Sequence, residues 1–206
     1  MISAVETWTL RQAVLFQAVL LAVQSALYFG SAFFQKNHHN VMRNADERIP
    51  FFPPAVLAYI LWFPLIAVFP PVLFCAGRPV YLRYILSVIT GVLISTAVYL
   101  LWPTAFERPA PPDTLCGRIL KAVQKGDFHG ANCLPSLHCT QCFTVIFFAC
   151  VCTEMPLTFR AGTVLLSLCI TASTVLTKQH TLIDVLAAVP TAAFSILSGF
   201  LLAGCL

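Results

Sequence analysis

Two stretches of this chain set a histidine beside groups that a phosphate would need: Pro135-Ser136-Leu137-His138, and Lys178-Gln179-His180 leading to Asp184. Asp184 precedes the apolar run from Val185 to Val189, so a carboxylate stands just inside an apolar helix, where a charge needs a partner. His180 lies four residues earlier, a spacing that puts the two side chains on one face if both are helical. A carboxylate there would hold the imidazole by one nitrogen, fix its tautomer and leave the other nitrogen free to attack phosphorus. The same pair also reads as a simple stabilising contact at a helix end.

Pro135 and Ser136 suit the start of a helix. The unpaired N–H groups of that first turn, with the Ser136 hydroxyl, form a cradle for phosphate oxygens. His138 could then hand a proton to a departing alkoxide, although alone it also fits a histidine satisfied by a backbone carbonyl. Arg108 and Lys178 are candidate phosphate clamps, one a planar fork and the other a point charge. Each alone also fits a side chain snorkelling at the membrane boundary. The joint placement of two imidazoles, a carboxylate and two cations favours chemistry over the separate alternatives.

Cys133, His138, Cys139 and Cys142 suggest a metal cluster, but they flank and enter an apolar helix without a matching second ligand pair. Metal binding is disfavoured by that mismatch. Cys75, Cys150, Cys152, Cys169 and Cys205 fall in or at the ends of apolar runs and read as small core residues, while pairing among Cys116, Cys133, Cys139 and Cys142 is open.

The elements that must position these groups are membrane helices. The 206 residues are 59% hydrophobic and 10% charged, with a mean hydropathy of +0.85, beyond the composition of soluble domains. Stretches of about 20 apolar residues, enough to span a bilayer, recur at roughly 10–34, 52–75, 81–102, 135–153, 160–177 and 181–204. The expectation is one all-α domain over 1–206, a polytopic bundle of six transmembrane helices with both termini on one side. The first stretch is too long for a secretory signal and is kept as a helix.

The second span carries Pro53, Pro54, Pro64, Pro70 and Pro71 and is expected to kink, with Tyr59 and Trp62 packing in it. The polar stretch Lys36 to Arg48 reads as a loop. Leu115, Ile119, Leu120 and Val123 against Arg118, Lys121, Gln124 and Lys125 predict a short helix, either in the membrane interface or packed on the bundle. Arg108 and the Ser136/His138 pair share one loop, and two crossings separate His138 from Lys178, His180 and Asp184. Three clusters therefore meet at one membrane face.

Together these residues resemble the type-2 phosphatidic acid phosphatase superfamily, which also includes the vanadium haloperoxidases. Its motifs are Lys, six residues, Arg-Pro; then Pro-Ser-Gly-His; then Ser-Arg, five residues, His, three residues, Asp. This chain has Arg108-Pro109, Pro135-Ser136-Leu137-His138, and Ser173-Thr174 with His180 and Asp184 at the family's spacing. It departs in having Leu101 for Lys, Leu137 for Gly and Thr174 for Arg, with Lys178 a substitute for one missing cation. The resemblance implies that His180 becomes phosphohistidine, Asp184 orients it, His138 protonates the leaving group, and Arg108 and Ser136 bind phosphate, with no metal or organic cofactor. The Pro-Ser-Leu-His and Thr-Lys-Gln-His forms look like the branch containing inositol phosphorylceramide synthase, where an alcohol replaces water as acceptor.

The expected function is a membrane-embedded lipid phosphatase acting on phosphoesters or pyrophosphates, with head-group transfer to an alcohol as the alternative. From another class, Asp184, His180 and Lys178 could form a transporter's ion relay, or the chain could be an inactive scaffold. Transporter sites usually lie near the bilayer midplane, whereas these charges gather at one face. Cations at that face outnumber those opposite, which by the positive-inside rule points to the cytoplasm; the resemblance implies an extracytoplasmic site in a multi-pass plasma-membrane protein, and that reading is favoured. The net charge of +4 suits anionic lipid surfaces, and no nucleic-acid motif appears. Substrate lipid, acceptor and oligomeric state stay open.

Overall fold

Thr9 opens the first helix, α1 (Leu10–Phe34), with a capping box: Gln12 Oε1 accepts the Thr9 amide at 2.8 Å and Thr9 Oγ1 accepts the Gln12 amide at 3.3 Å. The computed structural model describes residues 5, 7–127 and 130–205. After α1 come a two-residue strand β1 (His39–Asn40) and a single-turn helix α2 (Asn44–Glu47) within the predicted loop. Pro53–Ala55 form a 3-10 turn that leads into α3 (Val56–Ile60), and beyond Leu61 the chain resumes as α4 (Trp62–Ala76). The break falls where Pro64, lacking an amide hydrogen, cannot donate to the Ile60 carbonyl. The expected kink is thus an interruption one turn before that proline.

Gly77 separates α4 from α5 (Arg78–Leu101), after which β2 (Thr104–Ala105) pairs in parallel with β1, His39 opposite Thr104. Then follow α6 (Leu115–Gly126), α7 (Leu137–Val151), α8 (Leu157–Leu176) and α9 (Leu182–Cys205). Among the described residues, five helical stretches are long and apolar enough to cross a membrane: α1, Pro53–Ala76, α5, α8 and α9. The segment expected to be the fourth span is shorter than its apolar run. α7 has 15 residues, about 22 Å at 1.5 Å per residue, against a hydrocarbon core of about 30 Å. Pro135 and Ser136 precede the helix, and Cys152 ends it.

Around an apolar core that includes Leu65, Phe69, Leu73, Ile85 and Phe148, α1 and α9 turn small and polar residues inward and large apolar ones outward. On α1, Ala13, Gln17, Gln24 and Ser31 face inward, while Val14, Leu15, Val19 and Val23 face out. Gln17 donates to the Ile66 carbonyl at 3.0 Å, and Gln141 on α7 donates to Gln24 Oε1 at 2.6 Å. Along α9 the buried residues are Asp184, Ala188, Ala192, Ser195, Gly199 and Ala203, and Leu186, Val189, Phe194, Leu197 and Leu201 are exposed. Lipid offers no hydrophobic drive between helices, so close packing of small residues and hydrogen bonds must supply it.

The tightest seam joins α5 and α9. A Cβ on Gly199 would stand 2.2 Å from Ser87 Oγ and 2.5 Å from the Arg83 carbonyl oxygen, and one on Gly91 would stand 3.2 Å from Ser195 Oγ. The hydroxyl could rotate away; the carbonyl, fixed in a helix, could not. Gly199→Ala is expected to lower stability by about 1–3 kcal/mol through overpacking, read as an earlier midpoint in detergent unfolding, while Gly162→Ala, which meets nothing within 4 Å, leaves it unchanged.

Candidate active site

The turn that carries His180 is closed by the end of α8. Thr177 Oγ1 donates to the Ser173 carbonyl at 2.7 Å, and the amides of Gln179 and His180 both return to the Thr174 carbonyl, at 2.9 and 3.0 Å. Lys178 makes this possible by adopting φ of 54°, the left-handed conformation that ends many helices. His180 therefore lies in the turn, and α9 begins only at Leu182. The helical face expected from the four-residue spacing does not exist. The pair meets by a different route: Asp184, in the first turn of α9, folds back so that Oδ2 accepts the Thr181 amide at 2.8 Å and stands 3.4 Å from His180 Nδ1. That separation is an ion-pair distance, looser than an ordinary hydrogen bond, as is common before substrate tightens a catalytic pair.

A second carboxylate supports the same turn. Asp46 Oδ1 accepts the Leu182 amide at 2.7 Å and Oδ2 accepts the Arg43 amide at 2.9 Å. Asp46 and Asp184 thus both occupy the electropositive start of α9, where carboxylates are favoured. Lys178 Nζ donates to the Ile49 carbonyl at 2.7 Å and to the Asp46 carbonyl. Its buried ammonium is committed to these carbonyls, so it ties the loop before Pro53 to the His180 turn instead of standing open as a phosphate clamp.

Ser136 caps α7, its Oγ accepting the Cys139 amide at 3.3 Å. Its own amide donates to the Asp184 carbonyl at 3.2 Å, and Tyr99 donates to the Pro135 carbonyl at 2.8 Å. The two motif turns are thereby docked on each other. His138 lies in the next turn, against Tyr59 and Trp62 with ring centroids at 4.6 and 4.2 Å. Its ring centroid is 5.9 Å from that of His180. Nε2 of His138 is buried and has no hydrogen-bond partner, a condition that costs about 1–3 kcal/mol unless something fills it. The carbonyl that would satisfy a purely structural histidine does not meet this nitrogen.

Arg108 closes the third side. Nη1 donates to Gln179 Oε1 at 2.9 Å and lies 2.6 Å from Asp127 Oδ2, and Nη2 donates to the Gln179 carbonyl at 3.1 Å. Burial works against its charge, but the neighbouring Asp127 outweighs it and holds Arg108 above its ordinary range. The two other positions that lack a cation are accounted for differently. Leu101 is 84% exposed and turned away from the site, while Thr174 is sealed between helices, Oγ1 donating to the Thr171 carbonyl at 2.7 Å.

The cysteines near the site are free thiols. Cys133 donates to the Gly130 carbonyl at 2.9 Å, and burial, with the charge of Asp184 next, pushes its thiol up. Such a thiol stays neutral. Among the described residues no three His, Cys, Asp or Glu side chains gather as a metal site.

A cavity of about 240 Å³ has His138 in its lining, with Gln24, Tyr28, Tyr59, Trp62 and Asp127 among mostly apolar surface. An attacking nitrogen needs phosphorus about 3–3.5 Å away, and an acid needs its proton acceptor at about 2.6–3.2 Å. Two imidazoles at this separation can straddle one phosphoryl group. The residues missed by sequence reasoning are those that support this geometry: Asp46, Asp127, Gln179, and the Tyr59/Trp62 wall. Only the aromatic pair carried a signal, as packing residues in a proline-rich span.

Compared with known proteins, the chain matches no protein-family model, no curated protein and no solved structure. Removing the cap on Leu182 isolates the second carboxylate: Asp46→Ala should reduce unfolding stability by about 0.5–2 kcal/mol, the usual loss for a helix cap, with hydrogen exchange rising first in 177–185.

Proposed function

We propose that the chain is a membrane-embedded lipid phosphatase, acting on phosphoesters or pyrophosphates through a phosphohistidine. The observation that carries this reading is the pair of imidazoles 5.9 Å apart, one backed by a fully buried carboxylate and the other carrying an unpartnered buried nitrogen on a residue that lines an apolar cavity. With Nδ1 turned to Asp184, His180 attacks phosphorus through Nε2. An N–P bond forms, the P–O bond to the lipid breaks, and His138 gives its proton to the departing alkoxide. Water then attacks the phosphohistidine, His138 takes a proton from it, and phosphate and His180 are released. Arg108 and the cap of α7 at Ser136 hold the phosphate oxygens.

The apolar walls of the cavity favour a lipid leaving group over a soluble one. Resolution of the same intermediate by a lipid or sugar hydroxyl would make the chain a phosphotransferase, the alternative suggested by its Pro-Ser-Leu-His and Thr-Lys-Gln-His forms. The six-crossing layout belongs to the same proposal: α7 crosses as a short helix wrapped by the other five, both termini share one side, and the site faces the extracytoplasmic side of the plasma membrane.

The test is purified protein in detergent, offered phosphatidic acid, isoprenyl diphosphate, and a phospholipid with candidate alcohols. His138→Ala should slow turnover by roughly 10²–10⁴-fold, the range for a lost general acid, and His180→Ala should abolish an acid-labile phosphoenzyme. Full turnover in both variants would refute the roles. Labelled phosphate trapped on His180 excludes an ion relay or an inactive scaffold.

A further inference from the structure

Arg108 already has an anion. Its Nη1 is 2.6 Å from Asp127 Oδ2, and Asp127 Oδ1 accepts the Tyr28 hydroxyl at 2.7 Å. A carboxylate paired in this way takes one nitrogen of the donor fork that a phosphate would use, while Gln179 shares that nitrogen and holds Nη2 through its carbonyl. Asp127 also ends α6, its amide closing the last turn on the Val123 carbonyl at 3.1 Å. A negative charge at that end opposes the helix dipole, so Arg108 and Tyr28 are what hold it there.

α6 is lightly anchored. Gly117 and Leu120 are its buried residues, while Arg118, Lys121 and Lys125 face outward. Ala122, Val123, Gly126 and Asp127 line the same cavity as His138. One ion pair therefore engages Nη1 of the guanidinium and at the same time fixes the cavity wall.

We infer that Asp127 is a phosphate stand-in: it holds Arg108 until an incoming phosphate replaces it, and its release frees α6 from the cavity. The inference rests on the reading of Arg108 as the phosphate fork. A carboxylate brings one charge and two oxygens; a phosphomonoester brings about −1.5 to −2 charge and three acceptor oxygens, and so displaces it. A lipid without phosphate leaves the wall in place. Asp127 is thus a positioning residue that acts through Arg108 and selects for phosphate.

The test uses the full chain in detergent with inorganic phosphate as probe, measuring affinity by calorimetry and hydrogen exchange across 115–127. Wild-type protein should bind phosphate with increased exchange in α6. Asp127→Asn should bind it about tenfold tighter, the scale of one charge-assisted hydrogen bond removed from competition, with α6 exchange already raised and no longer responsive. Tyr28→Phe should shift both in the same direction by less, and it carries the test if the Asn variant fails to fold. With a turned-over lipid, KM falls in Asp127→Asn and kcat does not rise. A purely structural Asp127 gives the opposite sign, weaker phosphate binding. Tighter binding absent from both variants, or wild-type α6 exchange indifferent to bound phosphate, overturns the inference. If the wild type forms a phosphohistidine while these shifts fail, only this inference falls; if it neither binds phosphate nor forms the intermediate, the functional reading falls too.

Discussion

A carboxylate with no exposed surface organises this molecule. Asp184 holds the Thr181 amide and faces His180 with its side chain, while its backbone carbonyl accepts the amide of Ser136. One residue therefore sets the position of both histidine-bearing turns. A buried charge of this kind is tolerated only with partners close by, and the Thr181 amide at the start of α9 and the His180 imidazole are those partners. The arrangement couples fold to site: whatever seats α9 also seats the two imidazoles.

The cationic side of the site is thin. Lys178 is drawn to carbonyls of the loop before Pro53, Thr174 is packed between helices, and Leu101 faces outward. Arg108 is left as the guanidinium that reaches the His180 turn, gripping both the side chain and the carbonyl of Gln179. Under the proposed reading, an anion entering here would meet one guanidinium plus backbone amides, and its affinity would depend on what else claims that guanidinium.

Much of the architecture was legible because apolar length is a direct requirement of lipid: the stretches read at 10–34, 52–75, 81–102, 160–177 and 181–204 are helices within a few residues. The stretch at 135–153 is likewise helical, over Leu137–Val151 between the cap at Ser136 and the end at Cys152, but its 15 residues leave it outside the five long enough to cross. The convergence of Arg108, Ser136, His138, His180 and Asp184 followed from counting crossings. The route by which His180 meets Asp184 did not, because a spacing of four says nothing about a left-handed residue at Lys178. Lys178 itself was misread for a related reason. Its partners lie 132 and 129 residues away, the Leu182 amide lies 136 from Asp46 and Asp127 lies 99 from Tyr28, and no local pattern announces a tertiary hydrogen bond.

The glycine seam between α5 and α9 acts as an axial stop. Gly199 sits fifteen positions beyond Asp184, roughly 22 Å along the helix at 1.5 Å per residue, and its backbone is seated against Arg83 and Ser87 without room for a methyl group. α9 can neither slide nor roll there without collision, so the depth at which its first turn lies in the bundle is set from its far end. The alignment of the imidazoles is in this sense a matter of leverage, governed by a contact near the opposite membrane face.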